Sequence, residues 1–354
     1  MKPSSSCMEI ASNMPGSMKV LRLHGEGDMQ MHTEPLPEPK HGEVLIRVSA
    51  VGICGSDLHW FGEAGIGDAQ LSRPLVLGHE FSGIVEDPRS KLNERRVAVD
   101  PAIACQECEY CLDGNPNFCE RLHFAGHGDD DGALREYLAW PEKNLHPLPD
   151  PINYEEGALL EPLGVALHAL ELGKIQPGEA VGVFGVGPIG LMIVQLARLA
   201  GAGDIVVTDR LDHRLEAAFS MGATKGFKIT DDWDRREAWR ATNGRGVQVA
   251  FEAAGDNQAV ETAVDSAKPG GRVILVGIPA EDRSSFTAST ARRKGLSIKL
   301  SRRMRFTYPR AIQLVEDGLI DLRSLVSQRF QLPEYELAFE AAKIRQGLKT
   351  IINV

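Results

Sequence analysis

Short runs of alternating apolar and polar residues fill the first 150 positions of the chain and then give way to longer helical repeats. Between Val44 and about Pro147 the runs EVLIRVSAVGI, FSGIVE, RRVAVDP and LREYLAW, broken by Gly, Pro and Asp, predict strands, and MKVLRLH from Met18 predicts one before them. After Pro149-Asp150-Pro151 the stretch EEGALLEPLGVALHALELG carries apolar residues on a helical repeat, with acids in its first turns. Strand-like and helical runs then alternate: AVGVFGV, IGLMIVQLARLAGA, DIVVTD, HRLEAAFSMGA, VQVAFEAAG, NQAVETAVDSA and GRVILVGI. Such alternation predicts βαβ units and a parallel sheet with helices on both faces. From about Lys299 the pattern is mixed, with helices around PRAIQLVEDG and EYELAFEAAK and a terminal strand KTIINV. The expected class is α/β, a β-rich domain joined to a doubly wound parallel-sheet domain, without internal repeats.

Composition narrows what this architecture does. The 354 residues are about twice a typical domain of ~100–200. A hydrophobic share of 43% with 25% charged residues is that of a globular chain and excludes extensive disorder. Thirty-nine Lys and Arg against 49 Asp and Glu give a net charge of −10, which repels a phosphate backbone. The nearest approach to a basic patch, Arg292, Arg293, Lys294, Arg302, Arg303 and Arg305, reads as a solvated face, so no nucleic-acid partner is expected. The first seventeen residues lack an apolar core and read as a loose extension rather than an export signal. The longest uncharged stretch, Ala180 to Ala197, is broken by closely spaced glycines and Pro188, so strand, turn and helix fit it better than a membrane span. Of six cysteines, four crowd between Cys105 and Cys119 while Cys7 and Cys54 stand alone; this favours a reducing, cytoplasmic setting and metal ligation over disulfides.

The candidate chemistry begins at Gly185-Val186-Gly187-Pro188-Ile189-Gly190, a G-x-G-x-x-G lying between a predicted strand and a predicted helix. The first glycine suits a tight turn, the second lets backbone approach a pyrophosphate, the third lets helix and strand pack closely, and the helix N-terminus presents free N–H groups to the anion. Asp209 closes the next strand 19 residues beyond Gly190, where a carboxylate holds the adenosine ribose, so NAD is favoured over NADP. Arg210 and Arg214, which could receive a 2′-phosphate, leave residual NADP use open.

Cys105, Cys108, Cys111 and Cys119, spaced by 3, 3 and 8, supply four thiolates on one short loop, a closed tetrahedral set suited to structural zinc. An iron–sulfur cluster also takes four cysteines, but with a different final spacing. A metal-free loop of buried thiols is the alternative. A second, scattered set comprises Cys54 in VGICGSDLHW, His79 and Glu80 in LGHEFSG, and Glu161 in LLEPLG. Thiolate, imidazole and carboxylate are the ligands of catalytic zinc, which keeps an exchangeable position. Taken singly, each reads as readily as a buried thiol, a core histidine or a first-turn acid.

Together, GICGSDLHW, PLVLGHEFSG, the Cys105–Cys119 lobe, LLEPLGVALHAL, VFGVGPIGLM and VVTD occur in an order that closely resembles the zinc-dependent medium-chain dehydrogenases, in their sorbitol (polyol, L-iditol 2-) dehydrogenase branch, from about Met18 to Val354. The resemblance implies a GroES-like catalytic domain over residues 18–152 and 303–354 and a Rossmann NAD-binding domain over 153–302, after an extension of residues 1–17. It implies two zinc ions per chain, with Cys54, His79 and Glu80 holding the catalytic one and Glu161 beside the metal water or replacing it as ligand. It implies Ser56 and His59 as the proton relay and Asp57 as the partner orienting the zinc ligands. On the cofactor side it implies Ile189, Asp209 and Arg214 around the adenosine half, with the backbone of Val276, Gly277 and Ile278 on the nicotinamide amide. Arg303 falls where this branch keeps a substrate-binding Arg. Trp60 and Met304, both at substrate positions, each replace a Tyr, and Phe306 replaces an Asn. These departures remove hydroxyl-reading groups, so a smaller or partly apolar relative of sorbitol is expected.

The implied reaction is oxidation of a secondary alcohol of a polyol or sugar derivative to a ketone, the proton leaving through Ser56 and His59 and the hydride passing to NAD. A sugar, threonine or simple secondary-alcohol dehydrogenase is the first alternative. A non-catalytic dinucleotide-binding protein is the remote one, since Cys54, His79, Glu161, Ser56 and His59 are all present. By analogy with relatives the chain should form a dimer or tetramer through the edge of the parallel sheet, with GGRVILVGI as the pairing strand.

Overall fold

The computed structural model of the chain describes residues 15–230 and 232–354, so the expected extension lies almost wholly outside the described residues, Cys7 included. By compactness the chain divides into two units: residues up to Cys111 with Cys119–Glu161 and Val326–Val354, and Leu112–Phe118 with Pro162–Leu325.

The first unit is built on a seven-stranded sheet. Leu145–Pro147, Arg96–Val99, Glu80–Val85, Glu43–Gly52, Lys349–Asn353 and Val326–Gln331 lie side by side in that order, and Tyr137–Pro141 also pairs with Glu43–Gly52. Its central strand, Glu43–Gly52, buries most of its length and ends where the helix Gly55–Glu63 begins. The last strand of the chain returns antiparallel to it, with Ile351 opposite Gly52 and Ile352 opposite Val51. That register carries Lys349 past the end of the central strand, within reach of the Ile53 carbonyl. A hairpin of Ser17–Gly25 and Asp28–Pro35 adds Val20, Leu21 and Leu23 to a core that also holds Ile46, Phe81, Trp60 and Phe339.

The second unit carries a six-stranded parallel sheet in the order Lys225–Lys228, Ile205–Asp209, Val181–Phe184, Val247–Glu252, Ala267–Leu275, Ser297–Leu300. This is a doubly wound order, and the strands nearest its switch point are buried at every position, as a sheet covered on both faces requires. Pro188 sits in the first turn of the helix Pro188–Leu199, where its missing N–H costs nothing. At the other end of the sheet Lys294 closes the helix Asn257–Ser266 by donating to the carbonyls of Val264, Asp265 and Ala267.

One expectation is corrected here. The GGRVILVGI strand is flanked by Val247–Glu252 and Ser297–Leu300 and has no open edge; the edge strand is Ser297–Leu300. A run as apolar as GRVILVGI marks a strand buried between neighbours, whereas the alternating SIKL suits an edge.

Candidate active site

In the first unit the end of the central strand, the start of the next helix and the strand Glu80–Val85 converge. There Cys54, His79 and Glu80 bring their ligand atoms within 4.8 Å of one another. Asp57, fully buried in the first turn of the helix, fixes this corner: one carboxylate oxygen accepts the Cys54 N–H at 2.8 Å and the other the Gly78 N–H at 3.2 Å, with His79 Nδ1 3.5 Å away. Burial opposes the Asp57 charge, but the His79 imidazole and the two backbone donors outweigh it and hold the carboxyl below its ordinary range. Burial likewise opposes a proton on His79, yet Asp57 and Cys54 raise its pKa well above that of a free imidazole. A cation entering this corner therefore competes with a proton.

Glu80 is held by a group far along the chain. Lys349 Nζ donates to Glu80 Oε1 at 2.7 Å and to the Ile53 carbonyl at 2.8 Å. Glu80 Oε2 lies 2.5 Å from the same ammonium but outside hydrogen-bonding geometry, a buried oxygen with no hydrogen directed at it. Such an acceptor beside a thiol and an imidazole fits a divalent cation by its chemistry. Glu161 is also buried, outside the 4.8 Å group; burial above all, helped by the Glu80 carboxylate and opposed by His79 and Lys349, pushes its pKa up to about 7. Ser56 is half-buried on the same helix, and His59 Nδ1 pairs with Glu63 Oε1 at 3.1 Å.

The four remaining sequence-predicted ligands, Cys105, Cys108, Cys111 and Cys119, also place their sulfurs within 4.8 Å of one another. Backbone N–H groups point at them: Cys105 N donates to Cys119 Sγ and Cys108 N to Cys105 Sγ, both at 3.3 Å. The backbone donor at Glu107 leads in drawing Cys105 down to about 6, while burial and the crowd of neighbouring sulfurs push Cys111 up to about 12. Four thiols this close do not all ionise without a cation among them, which is the donor set of structural zinc.

In the second unit the glycine-rich turn stands at the switch point. Gly185 has φ +95, open to glycine, and a Cβ at Gly190 would fall 2.0 Å from the Gly185 carbonyl oxygen, so helix and strand pack without one. At Gly187 a Cβ would meet only Arg214, at 3.4 Å. This is the open cradle a pyrophosphate needs in front of the helix Pro188–Leu199, with Ile189 in its first turn. Asp209 accepts the Val186 N–H at 2.9 Å and the Leu211 N–H at 3.0 Å, with Arg214 3.9 Å away. Arg210 turns to Gln258. Val276 and Gly277 donate their N–H groups to the Glu252 carbonyl, and Ile278 beyond them is exposed.

The substrate candidates belong to both units. Trp60 is only 1% exposed, its ring edge-on to His127 at 5.5 Å, which makes it a core residue of the first unit. Met304 is buried against Gly164, and Phe306 is 72% exposed. Two partners of the candidate residues escaped the sequence reading. Glu63 lies four residues after His59 and was open to a helical-spacing argument; Lys349 lies 269 positions from Glu80 and gave no local signal.

Two family models match the chain, zinc-binding dehydrogenase over residues 188–317 and the alcohol dehydrogenase GroES-like domain over residues 40–150. Its class is thus that of the zinc-containing dehydrogenases. The sorbitol dehydrogenase of Bacillus subtilis (strain 168) is 37% identical over 337 residues, 94% of this chain and 96% of that protein. The probable D-xylulose reductase A of Emericella nidulans is 36% identical over 340 residues, 93% and 94% of the two chains. The crystal structure of 2R,3R-butanediol dehydrogenase from Bacillus subtilis superposes with a TM-score of 0.84 at 31% identity, covering 96% of this chain and 100% of that one. The chain belongs to the zinc-binding dehydrogenase family, in its sorbitol dehydrogenase branch. Among the described residues no helix is long and apolar enough to cross a membrane.

Proposed function

We propose that this dehydrogenase oxidises a secondary alcohol carrying a vicinal hydroxyl, on a short polyol or sugar derivative, to the ketone with NAD as acceptor. The observation that carries the reading is the buried corner of Cys54, His79 and Glu80, with Ser56 and His59 on the adjoining helix. When bound, zinc supplies a Lewis acid for the alcohol oxygen and NAD accepts the hydride. The chain's own residues do the rest. Asp57 fixes Cys54 and the backbone before His79, and Lys349 holds Glu80 in place. Ser56 and His59 carry the alcohol proton outward, and Glu63 orients the imidazole. Glu80 would be the third ligand in this reading, and Glu161 the neighbouring carboxyl that accepts a substrate hydroxyl. Arg303 donates to a second hydroxyl, and Met304 supplies apolar wall. The four-thiol lobe takes a second, structural zinc. Relatives named for sorbitol, D-xylulose and 2R,3R-butanediol support this class of substrate. The five described cysteines are free thiols, in keeping with a cytoplasmic setting, and assembly into a homodimer or tetramer would use the exposed edge Ser297–Leu300.

The deciding comparison is kcat/KM for a vicinal diol against the matching simple secondary alcohol, in the parent and in Arg303→Ala. The parent should favour the diol by at least ~10-fold, the discrimination a site with matched polar groups achieves over apolar contact, and Arg303→Ala should erase most of it. A parent that prefers the simple alcohol, with Arg303→Ala indifferent to both, would move the chain to the simple-alcohol reading.

Cofactor choice gives a separate expectation. Asp209→Ser removes the carboxylate that repels a 2′-phosphate and leaves Arg214 beside the vacated space, so the ratio of kcat/KM for NADP to that for NAD should rise by at least ~10-fold. The loss of the Val186 and Leu211 hydrogen bonds should also raise KM for both dinucleotides. Equal use of NADP and NAD by the parent would contradict the role given to Asp209.

A further inference from the structure

The segment Leu112–Phe118 is strung between two of the clustered thiols, Cys111 and Cys119, yet by compactness it belongs with the second unit, which also holds residues 301–307. Its contacts there are reciprocal. Asn117 Nδ2 donates to the Arg302 carbonyl at 3.1 Å, and Arg302 Nε donates back to the Asn117 carbonyl at 3.0 Å, across 185 positions of sequence. Arg305 Nη1 adds a bond to Asn115 Oδ1 at 2.8 Å. Asn117 is 4% exposed, which is unusual for an amide side chain on a short connecting turn.

What these bonds grip is a strained stretch of backbone. Arg303 has φ +53 and Phe306 φ +52, left-handed conformations that bulky L-residues rarely adopt and that persist only where the surroundings over-determine them. Between them Met304 is wedged against Gly164, where a Cβ would come within 2.5 Å of the sulfur. The stretch is thus fastened at Arg302, Met304 and Arg305. Neither a helix nor a strand holds the backbone at Arg303, so the turn on which it stands is placed by these three anchors.

We propose that Asn117 and Arg302 are positioning residues for substrate recognition: by clamping the turn on which Arg303 stands, they set its guanidinium for the second hydroxyl of the substrate. The proposal rests on the reading of Arg303 given above. A guanidinium presents its donors in a rigid fork, and misplacing such a group by about an ångström costs far more in recognition than in stability. The clamp therefore acts on the choice of substrate and leaves dinucleotide binding alone.

The test compares Asn117→Ala, Arg302→Lys and the milder Arg305→Ala with Arg303→Ala, each as the full-length protein. Asn117→Ala should raise KM for a vicinal diol about tenfold, with kcat within a few-fold, as expected for the loss of a buried hydrogen-bonded contact. Its kcat/KM for the matching simple secondary alcohol and its KM for NAD should stay within twofold of the parent. Arg302→Lys, which keeps a donor, should fall between parent and Asn117→Ala, and Arg305→Ala should shift the diol KM in the same direction by less. In the absence of any substrate, amide hydrogen exchange over residues 301–307 should quicken in Asn117→Ala. Unchanged exchange there, or diol and simple alcohol losing activity in parallel, would overturn the clamp. If Arg303→Ala abolishes diol preference and none of the clamp variants alters it, the clamp fails and the reading of Arg303 stands; if Arg303→Ala itself leaves the preference intact, both fail. Should Asn117→Ala not fold, Arg302→Lys and Arg305→Ala decide on the same readouts.

Discussion

Cys54→Ala is expected to lower kcat/KM for the best polyol by at least ~10³-fold, since a Lewis acid contributes several kcal/mol to the transition state and each tenfold is about 1.4 kcal/mol. The thiol is one of three groups within 4.8 Å, and with it gone His79 and Glu80 are left as a two-point site. Folding should hardly notice. Cys54 is only half-buried, and the bond that fixes this corner, from its backbone N–H to Asp57, does not involve the side chain. The variant should therefore keep its melting temperature within a few degrees while its metal content drops by one ion per chain. Lys349→Met should act in the same direction more weakly, because it frees Glu80 without removing a ligand, and should cost stability by leaving a buried carboxylate unpaired. Retention of more than a tenth of parental activity by Cys54→Ala would remove the thiolate from the reaction.

How far the site could be read in advance depended on whether its parts were local. The turn from Gly185 to Gly190 is a strand, a bend and a helix in continuous sequence, and its residues stand where their spacing put them. The four sulfurs of the 105–119 loop are likewise close in space because they are close along the chain. Cys54, His79 and Glu80 are separated by a helix and two short strands; no period links them, and only resemblance brought them together before the fold did. Lys349 was out of reach because the last strand's pairing with the central strand, rather than any pattern in KTIINV, delivers it to Glu80. The same holds for Asn117 and Arg302. Strand order failed for a related reason: GGRVILVGI and SIKL both read as strands, but which of them ends the sheet depends on pairings that neither sequence encodes alone. Trp60 adds what resemblance alone did not supply: its indole is packed into the core of the first unit, edge-on to His127.

Cys119→Ser is expected to do the opposite damage to Cys54→Ala, losing stability first and activity second. Cys119 is the buried member of the four-thiol group, and its sulfur accepts the Cys105 backbone N–H, so the substitution replaces a proposed thiolate ligand and the acceptor that pins the start of the loop by a shorter, harder hydroxyl. A structural zinc contributes folding free energy outright. A loss of ~3 kcal/mol would lower the melting temperature of a domain this size by roughly 6–12 °C. Brief treatment of the parent with a chelator should give the mirror image. An ion held at Cys54, His79 and Glu80 with one exchangeable position should be the one removed first, so activity should vanish while the melting temperature holds, and added zinc should restore turnover. The closed loop of four thiolates should release its ion only under thiol-directed reagents, and the fall in melting temperature should follow that release. A Cys119→Ser protein with the parent's metal content and melting temperature would show that the lobe holds no ion, and would return these four cysteines to a loop of packed thiols.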